Sequence, residues 1–331
     1  MKGGSVSDRS SGVFADGSVS LRIYPHNELH APGIAAALLG HAALASEAGF
    51  DGVMTSEHHG GFAGYLPNPL QVAGWMLDAM ATGWAAACPL LLPLRPVGLL
   101  AEEVAWLAVR HPGRVGIGVA PGALDLDFRI ADVPRDEALP RFRDGLPRLA
   151  AMLRGDELGE LSGDRALAAC ADTPVPVIST AMSPAAVRRA AAAGAGIIFD
   201  GASEATRLRE LTDRYREAGG THARVLIRRV WLGDPPRAAF ERQSDLYRSY
   251  SPQAAQRHWR DTGFICHDDP ADLAAELAAT MRDTGATCLN LRVQVPGVDA
   301  DAAREQIRAL GGEVLPLLRT HLSTHPEEQT T

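Results

Sequence analysis

Gly113-Arg114-Val115-Gly116-Ile117-Gly118-Val119-Ala120-Pro121-Gly122 is the stretch on which the fold turns. A glycine-spaced apolar run ahead of a turn suits two parallel architectures. In a doubly wound dinucleotide fold it would be a strand leading into a G-x-G-x-x-G phosphate turn. Counted from Gly116, the third glycine arrives one residue late, at Gly122. Pro121 also removes an N–H that such a turn would aim at phosphate. The stretch therefore reads as one strand of a repeating series, with its loop free for another use.

Outward from it, similar apolar runs occur at Val19–Tyr24, Gly52–Thr55, Trp84–Leu92, Arg114–Val119, Val175–Thr180, Gly196–Phe199, Arg224–Leu232 and Thr287–Val293. Amphipathic stretches separate them: Ile34–Ala48, Pro69–Ala81, Val97–Arg110, Asp136–Leu153, Ala185–Ala193, Glu204–Ala218 and Ala271–Asp283. Ser183-Pro184 and Asp269-Pro270 are helix openings, with a capping side chain followed by proline at the first helical position. The last helix carries Ile307, Leu310, Val314 and Leu317 on one stripe. Strands alternating with helices imply parallel pairing with right-handed crossovers, and eight units in one chain predict an α/β fold, a (β/α)8 TIM barrel. Asp234–Asp268, with Tyr247, Tyr250 and Trp259 among charges, breaks the rhythm and reads as a loop-plus-helix insertion before the last strand, near the barrel mouth. Residues 1–17 are Ser/Gly-rich and read as a flexible tail, residues 18–320 as a single barrel domain, and residues 321–331 as a frayed end.

Composition narrows the function. The chain has 331 residues, 46% hydrophobic and 22% charged, which excludes wholesale disorder and allows a large core. No apolar run approaches the roughly 18 residues of a membrane span. The start is polar, with none of the apolar centre of a secretory signal. A formal charge of −8 disfavours nucleic acid as a partner. Lys2 is the one lysine, so the basic residues are otherwise arginines, a bias that reads as genomic before it reads as functional. Cys88, Cys170, Cys266 and Cys288 show neither paired nor zinc spacing, so no metal site is expected and a reducing cytoplasm is the natural location.

In a parallel barrel, chemistry collects where strands end. After the second run comes Ser56-Glu57-His58-His59-Gly60-Gly61-Phe62-Ala63-Gly64-Tyr65. Imidazole titrates near neutrality, and a neighbouring carboxylate can orient it or hold its charge, so His58 and Glu57 are the catalytic candidates. A polar loop with surface histidines is the bland alternative. Adjacent histidines on an extended chain point to opposite faces, which argues against a shared metal. Pro89 inside a core strand cannot donate to the ladder and fits a bulge or a cis bond at Cys88-Pro89. Thr180-Ala181-Met182-Ser183-Pro184 is a strand-to-helix turn with free N–H groups, a phosphate seat or a plain cap. Arg228, Arg229 and Arg292 lie in apolar strands and need partners there, either internal carboxylates or an anionic ligand.

Taken in order, several short pieces resemble the bacterial luciferase-like flavin monooxygenase family. They are Ala48-Gly49-Phe50-Asp51-Gly52, Ser56-Glu57-His58-His59, Leu91-Leu92-Pro93-Leu94-Arg95, Ala101-Glu102-Glu103, Gly113–Gly118, Ser183-Pro184-Ala185-Ala186 and Leu315-Pro316. The resemblance runs from about Ile23 to Arg319. It implies a barrel that binds reduced FMN, or a deazaflavin coenzyme, in its C-terminal mouth. By position His58 matches the family's active-site histidine. Cys88-Pro89 falls where relatives often carry an unusual cis peptide under the flavin ring, and Ser183 falls near the flavin phosphate. The implied cofactor contacts are then Cys88, Pro89, Pro121, Gly122, Ala123, Met182 and Ser183, and the implied substrate contacts are Phe62, Tyr65, Arg229 and Arg292.

Two departures stand out. Pro121 occupies the place of luciferase's phosphate-binding arginine, and Ala186 the place of a second hydroxyl. Arg95, Arg229 and Arg292 are the cations available to compensate. The function expected is a flavin-dependent monooxygenase using reduced FMN and O2 on a small organic substrate. A separate flavin reductase would be a supplier and a homodimer one form, since relatives are often dimers; Trp75, Met76 and Met80 make one helix apolar enough for an interface or for ordinary packing. The alternatives are a deazaflavin-dependent reductase or dehydrogenase, and a non-enzymatic flavin-binding relative.

Overall fold

The short runs of the ring bury both of their faces, as parallel strands covered by helices must. The computed structural model describes residues 12–250 and 264–324. Its strands are β1 (Val19–Arg22), β2 (Gly52–Thr55), β3 (Trp84–Leu91), β4 (Val115–Ala120), β5 (Val177–Thr180), β6 (Gly196–Phe199), β7 (Arg224–Leu232), β8 (Phe264–His267) and β9 (Cys288–Arg292). Strands β1 to β6 pair in sequence, β1 also pairs with β9, β9 with β7, and β7 with β6. The eight form a closed parallel ring, a TIM barrel, as the alternation predicts. The ring's helices are α1 (Ala31–Glu47), α2 (Pro69–Ala79), α3 (Val97–Arg110), α4 (Asp125–Ile130), α5 (Ala138–Met152), α6 (Arg165–Ala169), α7 (Pro184–Ala192), α8 (Ala205–Glu217), α9 (Arg237–Tyr250), α10 (Pro270–Thr284), α11 (Ala300–Ala309) and α12 (Leu315–Thr324). Among the described residues no helix is long and apolar enough to cross a membrane.

The insertion carries more than a loop and a helix. Besides α9 it supplies β8, which lies outside the ring and pairs with Arg229–Leu232, while Val225–Arg229 of the same strand pairs with β9. β7 is nine residues long, enough to serve both neighbours. Three of the four residues of β8 are only partly buried, so the apolar signal that marks the ring strands is weak there. Trp259 lies outside the described residues.

Side-chain alternation sorts the core into two layers. Val53, Ala85, Ala87, Ile117, Leu226 and Leu289 face the helices. Met54, Trp84, Ala86, Cys88, Ile178, Ile198, Val225 and Cys288 fill the ring. Two glycines on β4 make room inside it. A Cβ on Gly118 would fall 2.2 Å from the Cys88 sulfur, and one on Gly116 would fall 2.9 Å from the Phe14 ring.

Phe14 corrects the expected tail. Residues 12–17 are packed: Phe14 is 4% exposed and meets Trp84 edge-on, with centroids 5.0 Å apart. Gly17 N–H donates to Thr287 O at 2.7 Å. An aromatic side chain closes the bottom of the ring and gains burial that polar neighbours in sequence did not suggest. The predicted terminal stripe also changes. A π-helical turn over Leu310–Val314 adds a residue to the winding. Leu318 is consequently buried in place of Leu317, which is 39% exposed. Met76 of α2 and Met80 at its C-cap are packed inside, and Trp75 stands half exposed.

Candidate active site

The C-terminal ends of all eight ring strands converge on one cavity of about 410 Å³. Arg22, Ser56, Pro89, Ala120, Thr180, Phe199, Arg229 and Arg292 each come from a different strand or its first following residue. Its size is that of a site for a small molecule. Leu91, Met182, Ile198 and Ile227 add apolar wall.

The loop after β2 builds one edge. It is tied down by the Glu57 N–H donating to Pro89 O at 3.1 Å and the His58 N–H to Leu66 O at 3.1 Å. His58 Nδ1 lies 2.8 Å from Asp127 Oδ2, and the other Asp127 oxygen accepts from the His59 N–H at 2.8 Å. Asp127 sits on α4 and its side chain is fully buried. Tyr65 and Phe62 pack on the His58 ring, at centroid distances of 4.5 and 5.0 Å. His58 and Tyr65 line the cavity, whereas Phe62 stands behind them.

Glu57 does not orient His58. Its carboxylate accepts from both terminal nitrogens of Arg95, from the Leu91 N–H at 2.6 Å and from His59 Nε2 at 2.9 Å. The cause is extended geometry: residues 57 and 59 share one side of the chain and 58 takes the other. The hydrogen bond to Glu57 raises the His59 pKa above its ordinary value. Arg95, one candidate for a phosphate contact, is committed to this ion pair.

The remaining candidates divide. Pro89, Pro121, Gly122, Ala123, Met182, Arg229 and Arg292 line the cavity. The Cys88-Pro89 bond is cis. The Cys88 side chain points down into the ring, where burial pushes its thiol up to about 11 despite the neighbouring Arg22, and its carbonyl accepts from Arg22 Nη1 at 2.9 Å. Ser183 is exposed and caps α7, accepting from the Ala186 N–H at 3.3 Å, outside the lining. Arg228 faces away from the cavity and donates to Ile227 O at 2.9 Å.

Sequence reasoning missed Arg22, Tyr24, Asp127 and the Asp200-Gly201-Ala202 turn. Period-2 alternation would have put Arg22 on the inward face of β1. Asp127 had no signal, because its partner is 69 positions away and α4 is only six residues long. Burial pushes the Tyr24 phenol up, but the charges of Arg292 and Arg22 and hydrogen bonds with Ser56 and Arg22 outweigh it and leave it below its usual value. Among the described residues no cluster of three or more His, Cys, Asp or Glu could hold a metal ion.

A parallel barrel with a largely apolar cavity at the strand ends, and a carboxylate-held histidine on its rim, has the form of an enzyme acting on a bound small molecule. The chain belongs to the luciferase-like monooxygenase family, whose model matches residues 18–311. Members of this family are oxidoreductases and include FMN-dependent monooxygenases and F420-dependent enzymes. The monooxygenase RslO1 of Streptomyces bottropensis superposes with a TM-score of 0.76 at 19% identity, over 90% of this chain and 99% of that one. The oxygenating constituent of 3,6-diketocamphane monooxygenase from Pseudomonas putida, in complex with FMN, gives 0.72 at 16% identity, over 91% and 98%. At these identities the likeness concerns the fold. An F420-dependent glucose-6-phosphate dehydrogenase of Beutenbergia cavernae is 29% identical over 175 residues, 49% of this chain, so the match spans about half, 51%, of that relative's length.

Proposed function

We propose that this protein is a flavin-dependent monooxygenase that uses reduced FMN and O2 to oxidise a small organic substrate. The observation that carries the reading is the cavity itself: an apolar slot at the closed ring's mouth with His58, backed by Asp127, on its edge. A tricyclic ring needs apolar faces and a few polar groups at its rim. Pro89, Leu91, Ala120 and Ile198 offer the first, and Ser56, Thr180 and His58 the second, so the residues present fit a flavin. Its phosphate would lie at the β4–β5 rim, beside Pro121 and Met182, against the backbone of Gly122 and Ala123 and within reach of Ser183, whose hydroxyl already accepts from Ala186 and keeps its proton to donate.

Reduced FMN, when bound, supplies two electrons and the place where oxygen is activated. The chain's own residues do the rest. Asp127 accepts at His58 Nδ1, which sets Nε2 as the nitrogen that exchanges a proton with the substrate. Phe62 and Tyr65 hold the ring in place. Packed side chains below the slot, from Cys88 down to Phe14, keep water from entering through the barrel. A separate reductase would supply the reduced cofactor.

The test is a titration of the apoprotein with FMN and with F420, followed by oxygen uptake with reduced FMN across a substrate panel. Saturable FMN binding, uptake above the protein-free rate and loss of most of it in His58→Ala are expected. Normal turnover by His58→Ala would defeat the assignment. The similarity to an F420-dependent dehydrogenase favours a second reading, hydride transfer without oxygen. Saturable binding of F420 with none of FMN selects that reading instead.

A further inference from the structure

Tyr24 stands two residues past the end of β1 and lines the cavity, although it is only 3% exposed. Alternation puts it on the same side of the chain as Arg22. Its backbone N–H donates to Gln294 Oε1 at 3.2 Å, which anchors the chain at that point. Arg292, at the end of β9, lies 3.8 Å over its ring, and Tyr65 meets the ring edge-on with centroids 5.2 Å apart. Tyr65 packs in turn on His58 at 4.5 Å. One aromatic side chain thus separates the phenol of Tyr24 from the imidazole of His58, and all three border the same cavity.

The phenol has partners suited to either of its protonation states. Ser56, from the loop after β2, and Arg22 both hydrogen-bond with it. Arg22 is itself fixed, donating through Nε to Asn290 Oδ1 at 2.6 Å, and through Nη1 to Cys88 O at 2.9 Å and Ser56 Oγ at 3.3 Å. A guanidinium keeps its charge at every working pH, so a phenolate formed here has a permanent counter-charge beside it. Burial pushes the phenol up, but Arg292, Arg22 and the hydrogen bonds outweigh it. The remaining titratable neighbours are engaged with one another: His26 pairs with Glu28 and stacks on His41, and Glu57 is bound by Arg95 and His59.

Tyr215 shows what a structural phenol looks like in the same molecule. It is fully buried between α8 and the ring, and its hydroxyl donates to Ala195 O at 2.9 Å. Burial pushes it up to about 12. Such a group keeps its proton throughout the working range. Tyr24 is buried as deeply, yet it faces a cavity and has arginine in place of a carbonyl as its partner. A proton donor is most effective when its pKa approaches the working pH, and that is the direction in which these neighbours move Tyr24.

We propose that Tyr24 is a second catalytic residue of this site, giving its phenolic proton to an oxygen of the bound substrate. The proposal rests on the reading of the cavity as the place where a small organic molecule is oxidised. In the step, the phenol O–H bond breaks, the proton goes to a substrate oxygen that is gaining negative charge, and the bond's electron pair stays on the phenolate beside Arg22. Water returns the proton after the product leaves. His58, held by Asp127 on the other side of Tyr65, is then free to serve a separate proton transfer.

The experiment begins with the full-length apoprotein, whose phenolate absorbance is followed against pH in wild type, Tyr24→Phe and Ser56→Ala. Wild type should show a phenol that ionises below the ordinary value of about 10. That phenol should be missing from Tyr24→Phe and should ionise at higher pH in Ser56→Ala, which removes one of its hydrogen bonds. Coincident curves for wild type and Tyr24→Phe below about pH 10 overturn the proposal. Turnover is then measured across pH with whichever cofactor the protein binds, FMN or F420. Tyr24→Phe should lower kcat roughly tenfold or more, leave KM within about threefold and displace the alkaline limb of the profile. Phenylalanine keeps a ring under Arg292 and against Tyr65, so a role in packing alone predicts the wild-type kcat, and that result also overturns the proposal. Unchanged circular dichroism and melting separate these effects from misfolding, and the wild-type absorbance titration needs no variant. Wild-type protein that turns over with neither cofactor defeats the oxidation reading, while the apoprotein titration still decides whether Tyr24 yields its proton.

Discussion

Asp127 Oδ2 and His58 Nδ1 lie 2.8 Å apart, and Asp127 Oδ1 takes the next residue's amide at the same distance. One buried carboxylate therefore fixes both the ring and the backbone of the β2 loop. Asp127→Asn keeps the shape and an oxygen for the His59 amide, and puts an amide N–H where His58 Nδ1 now has an acceptor, which selects the other tautomer. General acid–base groups contribute about 10²–10⁴-fold, so losing the support of one should lower kcat by roughly tenfold or more while KM changes little. Rates across pH would check this; an unchanged kcat in Asp127→Asn would remove Asp127 from the mechanism.

Glu57 contributes through packing and charge. Its side chain is fully buried against Arg95 and His59. Breaking such a pair from one side leaves a charge without its partner and costs on the order of 3 kcal/mol. Glu57→Gln should therefore shift the urea midpoint clearly downward. A midpoint equal to wild type would show that the cluster is not holding the loop.

The same cluster gives stability a pH dependence of known sign. The bond to Glu57 raises the folded-state pKa of His59 above the unfolded value. The folded state then binds the proton more tightly, so the gain is fully present below about pH 6.5 and is lost as pH rises through the higher folded value. The stability difference between wild type and His59→Gln should be largest near pH 6 and shrink toward pH 9. A difference that grows in that direction would contradict the sign.

Much of this was legible in residue order. The eight ring strands and most of the helices follow from alternation, prolines and caps, because parallel strands covered by helices impose strong local patterns. His58 follows from lying just past a strand end, Pro89 from being a proline inside a core strand, and the Pro121–Ala123 loop from the family resemblance. Two things did not follow. Glu57 and His58 are neighbours in sequence and therefore diverge in space, so adjacency suggested the wrong pair. Asp127 and Arg22 reach the site through tertiary packing, and no short-range pattern records which distant residues the ring's closure brings together.

Phe14 offers a test of that closure from the far end. Its ring fills the bottom of the barrel against Trp84 and over Gly116. Phe14→Ala should cost about 3–5 kcal/mol through lost burial and a cavity the rigid ring of strands cannot collapse. Denaturant melts would read the loss directly. A cost below about 1 kcal/mol would mean that the ring is closed at the bottom by other means.

Thiol labelling reports on the interior between Phe14 and the cavity. Cys88 and Cys288 are fully buried, and burial pushes each thiol up to about 11. Burial also raises Cys170, which lies in the layer under the helices. At pH 8 a thiol at about 11, as in Cys88 and Cys288, is thiolate in roughly one molecule in a thousand, and the reagent must also reach it. Cys266 is half-buried on β8, outside the ring. Iodoacetamide on the native protein should therefore modify Cys266 alone, and all four cysteines after unfolding in guanidinium. Peptide mass spectrometry distinguishes the sites. Rapid native labelling at Cys88 would mean that solvent penetrates beneath Pro89, and the slot would then lack the dry floor that the proposed oxidation requires.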